Sequence, residues 1–593
     1  MTLSDVERRG AEQGSDPRGV DGGSDPRNTA ELLVETLTRQ GVEVVFLNPG
    51  TDTAPVQEAI ARLGADGRPV PRVVLCPHEA VALAAAHAYY AVTGRPQVVM
   101  VHVDVGTQNL GSMLHNAFRS EIAVLILAGR TPVTAYGEQA GGRDTPVHWH
   151  QDVPDQAGIV RSYVKWTGDV ASAATLPRQI GRALQVARAG TPGPVYLTMG
   201  REVLMEPLTE PVDLPAVDRY GPPAPPAANP DALERAAQLL VDSRNPLITT
   251  TRVGRDPDAV PAMVRLADLL GAPVVDRRER VNFPSSHPSY VTDPRTSTAL
   301  LRDADVVLVV DSDVPWIPNR AAPSDSAVVV QIDADPVKAT TPGWSFPVDV
   351  PIQADPTTAL VQLVDAVERR LRQDGAAERT RRPSPAPAPR PDAGSSRPVA
   401  ADSPMRPETF VAILDEVLRE DDVVVEEVTT NSEVLRNGLR RDIPGTHFQS
   451  GGSGLGWALG AAVGVKLAAP GSRVVALVGD GSFLFSQPTP ALWVAHHERT
   501  PVLVVVLRNG GYAASRRPVF ALFPDGASAA SGEVVGTRFT DGPDFTQVAA
   551  ACHAHAEQVS DPAEVRAALQ RGLDAVAGGR SAVVVVDVSS PWL

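Results

Sequence analysis

The stretch GDGSFLFSQPTPALWVAHHERTPVLVVVLRNGGY, residues 479–512, places an oxygen-bearing side chain at the end of each of two apolar runs: Asp480 follows RVVALV, and Asn509 follows PVLVVVLR. Short runs rich in Val and Leu, apolar on both faces, have the pattern of buried parallel strands. In open parallel sheets ligands bind beyond the carboxyl ends of the strands, so the residues after each run carry the functional information. Asp480 and Asn509 offer hard oxygens of the kind Mg²⁺ takes, one or two from side chains and the rest from phosphates and water. The carbonyl of Gly511 would add a third protein ligand. Gly479 and Gly481 let the backbone approach an anion closely, and Ser482 can donate to it from the start of the next helix. Taken alone, GDG also reads as a strand-to-helix turn with an Asp cap.

Working outward, the same alternation of helix-period segments with Val/Ile/Leu runs covers most of the 593 residues. VEVVFLNPG, RVVLCPHEA, QVVMVHVDVG, AVLILAGR and PVYLTMG mark a first α/β unit over 28–205. A Pro-rich linker at 206–228 leads to a second unit over 229–371, with PLITTT, PVVD, ADVVLVVDSD and AVVVQIDADP. Residues 372–406 form a second Pro-rich linker, and 407–593 a third unit. The expected fold is α/β, with three doubly wound parallel-sheet domains. Residues 1–27, with a GSDPR tandem and no apolar stretch, read as a disordered tail.

The formal net charge of −16 leaves no basic footprint for nucleic acid or anionic lipid. No window approaches the roughly 18 apolar residues of a membrane span. The two cysteines, Cys76 and Cys552, cannot form a disulfide framework, and a cytoplasmic protein is expected. No Walker A pattern occurs, and GGSGLGWALG (451–460) misses the dinucleotide spacing. Residues 229–371 carry no clear flavin-binding signature, and FAD stays an open alternative.

GDGS, followed some two dozen residues later by RNGG, resembles the thiamin diphosphate motif, in which GDG leads to an Asn pair. Arg508 stands at the first Asn of the pair, and Asn509 retains the second, the metal ligand. The segment from VVLCPHEA to VLILAG, with its HE, TGRP and GTxN elements, resembles the first domain of the acetolactate synthase and benzoylformate decarboxylase family. The likeness runs over nearly the whole chain after residue 28. It implies pyrimidine-binding (28–205), central (229–371) and diphosphate- and Mg-binding (407–593) domains, with thiamin diphosphate and Mg²⁺ as cofactors.

The resemblance also assigns roles. Glu79, at the start of an Ala-rich helix, would exchange a proton with the cofactor's pyrimidine ring, though a Glu in a first helical turn also simply compensates the helix dipole. Leu455 would wedge the cofactor into its bent shape, with Ser453 and Gly454 as backbone contacts. Thr429 and Thr430, with Gly481 and Ser482, would contact the diphosphate, and Asp480, Asn509 and Gly511 would hold the metal. Thr51 in NPGT stands where the decarboxylase has a substrate-contacting serine, and His102 where it has a catalytic histidine, at a matching separation from Glu79. Its second active-site histidine has no counterpart, since Pro318 stands at about that place. His148, Trp149 and His150 lie in a loop (141–166) that resembles the substrate-channel region of the synthases. The segment after Asn509 resembles an active-site lid, in which Arg516 and Arg517 read as a solvated basic pair.

The expected function is decarboxylation of a 2-oxo acid through an enamine, which is released as an aldehyde or ligated to a second carbonyl. The alternatives are an acetolactate synthase-like carboligase and a non-catalytic cofactor-binding protein of the same fold. The family implies a homodimer or dimer of dimers, with Glu79 of one subunit facing Asp480 and Asn509 of another.

Overall fold

Buried Val/Ile/Leu runs can satisfy their backbone groups only by pairing, and in this chain they pair side by side into three six-stranded, wholly parallel sheets. The structure, a computed structural model, describes residues 27–277, 279–373 and 405–589. The expected tail lies outside these residues except for Arg27, and so does most of the second linker. The first sheet contains β1 (Val44–Leu47), β2 (Arg72–Leu75), β3 (Val98–Val101), β4 (Leu125–Arg130), β5 (Trp166–Val170) and β6 (Val195–Gly200), ordered 2-1-3-4-6-5. The second contains β7 (Pro246–Thr250), β8 (Val274–Asp276), β9 (Tyr290–Val291), β10 (Val306–Val310), β11 (Val328–Asp333) and β12 (Val350–Gln353), ordered 12-11-10-7-8-9. The third contains β13 (Val423–Glu427), β14 (His447–Gln449), β15 (Val474–Gly479), β16 (Leu503–Arg508), β17 (His555–Val559) and β18 (Ala582–Asp587), ordered 14-13-15-16-18-17.

Four strands, β5, β9, β12 and β14, had no apolar run to announce them. All four sit at sheet edges, where one side faces solvent or a loop and continuous hydrophobicity is not needed. β12 shows this directly, alternating buried and exposed residues.

The first and third sheets share one hydrophobic core. It is closed by two helices, Glu79–Thr93 and Ala458–Ala468, whose Ala and Gly residues let the backbones approach. A Cβ on Gly464 would lie 2.1 Å from the carbonyl oxygen of Ala85, and one on Gly460 2.8 Å from Ala84 Cβ. The middle sheet has its own core. Ion pairs bolt it to the first unit at the carboxyl ends of β7 and β10. Arg252 grips Asp313 through two bonds of 2.7 Å and reaches Glu121 of the first unit at 3.2 Å. Arg255 donates to Asp311 (2.9 Å), and Lys338 pairs with Asp313 and Asp333.

Both cysteines are buried and free, and burial raises their thiol pKa values. Among the described residues no helix is long and apolar enough to cross a membrane.

Candidate active site

A sheet of order 2-1-3-4 changes winding direction between its first and third strands, and the crevice that opens there is where ligands of doubly wound folds sit. In the third sheet this crevice lies between the ends of β13 and β15. Asp480 opens the helix Asp480–Phe485 directly after β15 and is buried. Its carboxylate accepts hydrogen bonds from the amides of Gly481 (2.8 Å), Asn509 (3.1 Å), Gly510 (2.7 Å) and Gly511 (3.1 Å), so the loop leaving β16 wraps around it. Burial raises its pKa and these four amides oppose that. The wrap needs glycine: Gly510 lies at φ +82°, and a Cβ on Gly511 would stand 2.0 Å from the carbonyl of Thr537.

Asn509 Oδ1 is buried and has no hydrogen-bond partner, an arrangement that costs free energy until something electropositive meets it. Gly511 O already accepts from the Ala513 amide (3.0 Å). Thr429 and Thr430 form the turn after β13, Thr429 exposed, and neither hydroxyl bonds to a described residue. No group of three His, Cys, Asp or Glu gathers around a common point among the described residues, so a cation here would depend on ligand oxygens as well. The orphaned Asn509 oxygen beside the Asp480 carboxylate, with two free hydroxyls on the neighbouring strand end, fits a hard cation that carries a diphosphate.

The glycine-rich loop 451–456 crosses to the first unit. Asn116 brackets Gly454, donating to its carbonyl (2.8 Å) and accepting from its amide (2.9 Å), and the Ser453 amide donates to His115 Nε2 (3.2 Å). Leu455 is half-buried. Gly456 takes φ +97°, and a Cβ there would meet Phe485 O at 2.3 Å. Glu427, which the sequence did not single out, organises this loop. Its buried carboxylate accepts from the amides of Gly456 (2.5 Å) and Ala458 (2.8 Å), capping the Ala458–Ala468 helix, and burial pushes its pKa up to about 7. The Ser482 hydroxyl also acts on the Glu427 carboxylate and opposes the effect of burial on it.

Arg508, the odd residue of the motif, is drawn aside: its Nε donates to Asp587 on β18 at 2.6 Å, across the register pair Arg508–Asp587. Arg516 is not solvated as the sequence suggested. It is buried and donates to Gly532 O (2.8 Å), tying helix Ala513–Leu522 to helix Ala527–Ser531, while Arg517 is exposed.

In the first sheet the equivalent crevice lies between β1 and β3. The loop leaving β1 carries Thr51 and Asp52, and β3 is followed by His102. Asp52, buried and overlooked in the sequence, pairs its carboxylate with His102 Nδ1. Two glycines make room: a Cβ on Gly50 would lie 2.1 Å from His102 Nδ1, and one on Gly129 1.6 Å from Asp52 Oδ2. Val103 follows at φ +25°, a backbone a β-branched residue seldom adopts, and strain of this sort gathers at functional sites. The Asp52 hydrogen bond raises the His102 pKa, with burial opposing it.

Glu79 begins the helix Glu79–Thr93, capped by His78, and accepts from Asn109 Nδ2 at 3.0 Å. Gly106 brings this carboxylate near the His102 turn, since a Cβ on it would lie 3.1 Å from Glu79 Oε1, and its amide donates to His102 O (2.7 Å). Of the loop trio, only His148 turns inward. Its Nδ1 accepts from the Asp144 amide (3.2 Å), which leaves the Nε2 hydrogen of the neutral ring facing Thr51 Oγ1 at 3.4 Å. Burial lowers its pKa. Trp149 and His150 are exposed, as is Pro318.

The middle sheet's own crevice, between β7 and β10, is filled by the Arg252–Asp313 pair and by Thr251 Oγ1 against Ser312 Oγ (2.7 Å).

Three family models match in order: the N-terminal TPP binding domain of thiamine pyrophosphate enzymes at 27–159, their central domain at 233–363 and their C-terminal TPP binding domain at 429–588. The chain belongs to the thiamine pyrophosphate enzyme family. Within that family it is 29% identical over 495 residues to benzoylformate decarboxylase of Pseudomonas aeruginosa, covering 81% of this chain and 86% of that one. It is 28% identical over 503 residues to acetolactate synthase of Mycobacterium bovis, covering 82% and 77%. The fold matches that of the thiamine diphosphate-dependent 4-hydroxybenzoylformate decarboxylase of Rhodococcus jostii RHA1, with a TM-score of 0.79 at 23% identity over 95% of this chain and all of that one. This thiamine pyrophosphate enzyme thus carries its candidate residues as two half-sites, one on each outer sheet. Among the described residues no hydrogen bond or ion pair joins Thr51, Glu79 or His102 to the Asp480–Asn509 group.

Proposed function

We propose that this enzyme decarboxylates a 2-oxo acid, using thiamin diphosphate and Mg²⁺, and releases an aldehyde. The observation that carries the reading is the Asp52–His102 pair beside Glu79: a strand-end histidine whose pKa a buried carboxylate raises is suited to donate a proton. Bound thiamin diphosphate supplies the nucleophilic carbon and the electron sink that loss of CO₂ requires. Asp480, Asn509 and the Gly511 carbonyl would hold Mg²⁺, while Thr429, Thr430, Gly481 and the Ser482 amide would donate to the diphosphate. Leu455 would fill the bend of the cofactor, next to the Ser453 and Gly454 backbone. Glu79 would exchange a proton with the pyrimidine nitrogen N1′. His102, its Nδ1 fixed by Asp52, would deliver a proton from Nε2 to the substrate carbon that has lost CO₂. Thr51, with His148 on its hydroxyl, would orient the substrate carboxylate.

Each half-site is built within its own sheet, which supports a homodimer or dimer of dimers whose sites are completed across subunits, in the cytoplasm. The test is incubation of the purified enzyme with pyruvate, benzoylformate and longer 2-oxo acids, with and without an aldehyde acceptor, and mass spectrometry of the products. Aldehyde and CO₂ are expected. Acetohydroxy acids as the sole products would replace this reading with a carboligase, and no CO₂ from any substrate would leave the non-catalytic alternative.

A further inference from the structure

The middle sheet carries two sets of cations with opposite surroundings. Arg252, Arg255 and Lys338 are neutralised by Glu121, Asp311, Asp313 and Asp333. Arg277 just past β8 and Arg320 in the loop after β10 have no such partner, and Arg436, on helix Ser432–Gly438 of the third unit, feels the buried Glu426 carboxylate only at longer range, since that group is paired with His447. Among the described residues, no carboxylate lies within ion-pairing distance of any of the three.

Two of the three meet in one cleft, and the charge of the third acts on it from outside. Arg277 and Arg320 line it together with the hydroxyl-bearing Thr249, Ser297 and Thr298 and with Trp316. Arg277 Nη2 donates to Pro315 O (3.2 Å), while its Nε is buried with no hydrogen-bond partner, as is the Nε of Arg436. Burial depresses the Arg277 pKa, and the charges of Arg436 and Arg320 depress it further, so the groups acting on this cation are themselves cations. Holding like charges beside a partly buried guanidinium is costly unless an anion joins them. The cavity measures about 100 Å³, below the roughly 300–1,000 Å³ of sites for drug-sized ligands, so the anion must be compact.

We propose that this cleft is an oxyanion site for a phosphate or carboxylate group, with Arg277 and Arg320 as its direct donors and Arg436 adding charge from the third unit. Planar guanidinium forks suit both groups, and the hydroxyls complete the donor set. Helix Ser432–Gly438 is preceded by its cap Asn431, directly after Thr429 and Thr430, so the arginine that adds charge to Arg277 sits on the element leaving the strand end assigned to the diphosphate. Two sources share this chemistry: a second anionic group on the substrate, which rests on the 2-oxo acid reading above, and a free phosphate, which does not.

Isothermal titration of the full-length protein with inorganic phosphate, at constant ionic strength, tests the site. Saturable binding of one phosphate per chain is expected, weakened at least about tenfold in Arg277→Gln and in Arg320→Gln. Arg161→Gln, at an exposed arginine in the first unit, should leave it unchanged. Arg320 is exposed, so its variant keeps the test valid if Arg277→Gln fails to fold. Absence of saturable binding, or equal binding in wild type and Arg320→Gln, overturns the proposal. To distinguish the sources, KM is compared for a 2-oxo acid ending in a carboxylate and for its methyl-ended analogue. A rise in KM for the first alone in Arg320→Gln assigns the cleft to the substrate's own group; unchanged KM values with phosphate binding lost assign it to a free anion. Failure of every 2-oxo acid to turn over would sink the reaction assignment and leave the phosphate result standing.

Discussion

The first sheet, ordered 2-1-3-4-6-5, and the third, ordered 14-13-15-16-18-17, repeat one topology and put opposite chemistry at the same place. At the crevice of the first, titratable side chains gather: Asp52 against His102, with Glu79 close by and Gly50 and Gly129 clearing the space. At the crevice of the third, backbone amides and oxygens predominate: four amides fold over Asp480, and Asn509 holds out an unpaired oxygen. Topology decides where a site can be, and the few residues beyond each strand decide what it does.

The comparison predicts that changes on the first sheet strike turnover and changes on the third strike cofactor binding. The largest effect should come from Glu79→Ala: about a thousandfold or greater loss of kcat, within the range of acid–base contributions, with thiamin diphosphate affinity measured by fluorescence quenching changed little. Full activity in this variant would break the division. Asp480→Asn, or removal of divalent metal with a chelator, should instead weaken cofactor binding at least about tenfold, restored in the second case by added Mg²⁺.

Asp52→Asn should lower kcat by about ten- to a hundredfold and reshape the pH profile. Asp52 raises the His102 pKa, so with His102 as the proposed proton donor the wild-type enzyme should stay active above the ordinary histidine value and lose activity as pH climbs through the raised one. The variant's alkaline limb should therefore move to lower pH; an unmoved limb would remove His102 as the donor. The smallest effect concerns stability. The Glu427 pKa rises on folding to about 7, so its linkage favours the folded state most below the ordinary carboxylate value, and that contribution is lost as pH rises toward 7. Thermal melts of wild type and Glu427→Gln across this range should converge or diverge accordingly, and parallel curves would show that Glu427 does not titrate there.

Sequence was informative where a signal is local. Strands rich in Val and Leu announce themselves by composition, and Glu79, His102, Asp480 and Asn509 each follow one. It was blind where the partner is set by strand order. Nothing in NPGTD indicates that Asp52 meets a histidine fifty residues away, since that requires β1 beside β3. Arg508 finds Asp587 only because β16 pairs with β18, and Glu427 finds the loop of Gly456 only because β13 lies beside β15. A glutamate two residues before the polar Thr429–Thr430 turn was the available hint. Edge strands β5, β9, β12 and β14 were missed because half-exposed strands need no apolar run, and Arg516 because its burial depends on how two short helices fold together.

The Ala/Gly contact between helices Glu79–Thr93 and Ala458–Ala468 also bears on how such chains can be recombined. With Gly464 against the Ala85 carbonyl and Gly460 against Ala84, neither outer unit can be exchanged for a relative's without its counterpart, because a bulkier residue on either helix would part both. The middle unit, with a core of its own, is the exchangeable cassette, provided the graft carries cations to meet Glu121. Chimeras cut on either side of the middle unit should fold where those cut between the outer helices do not.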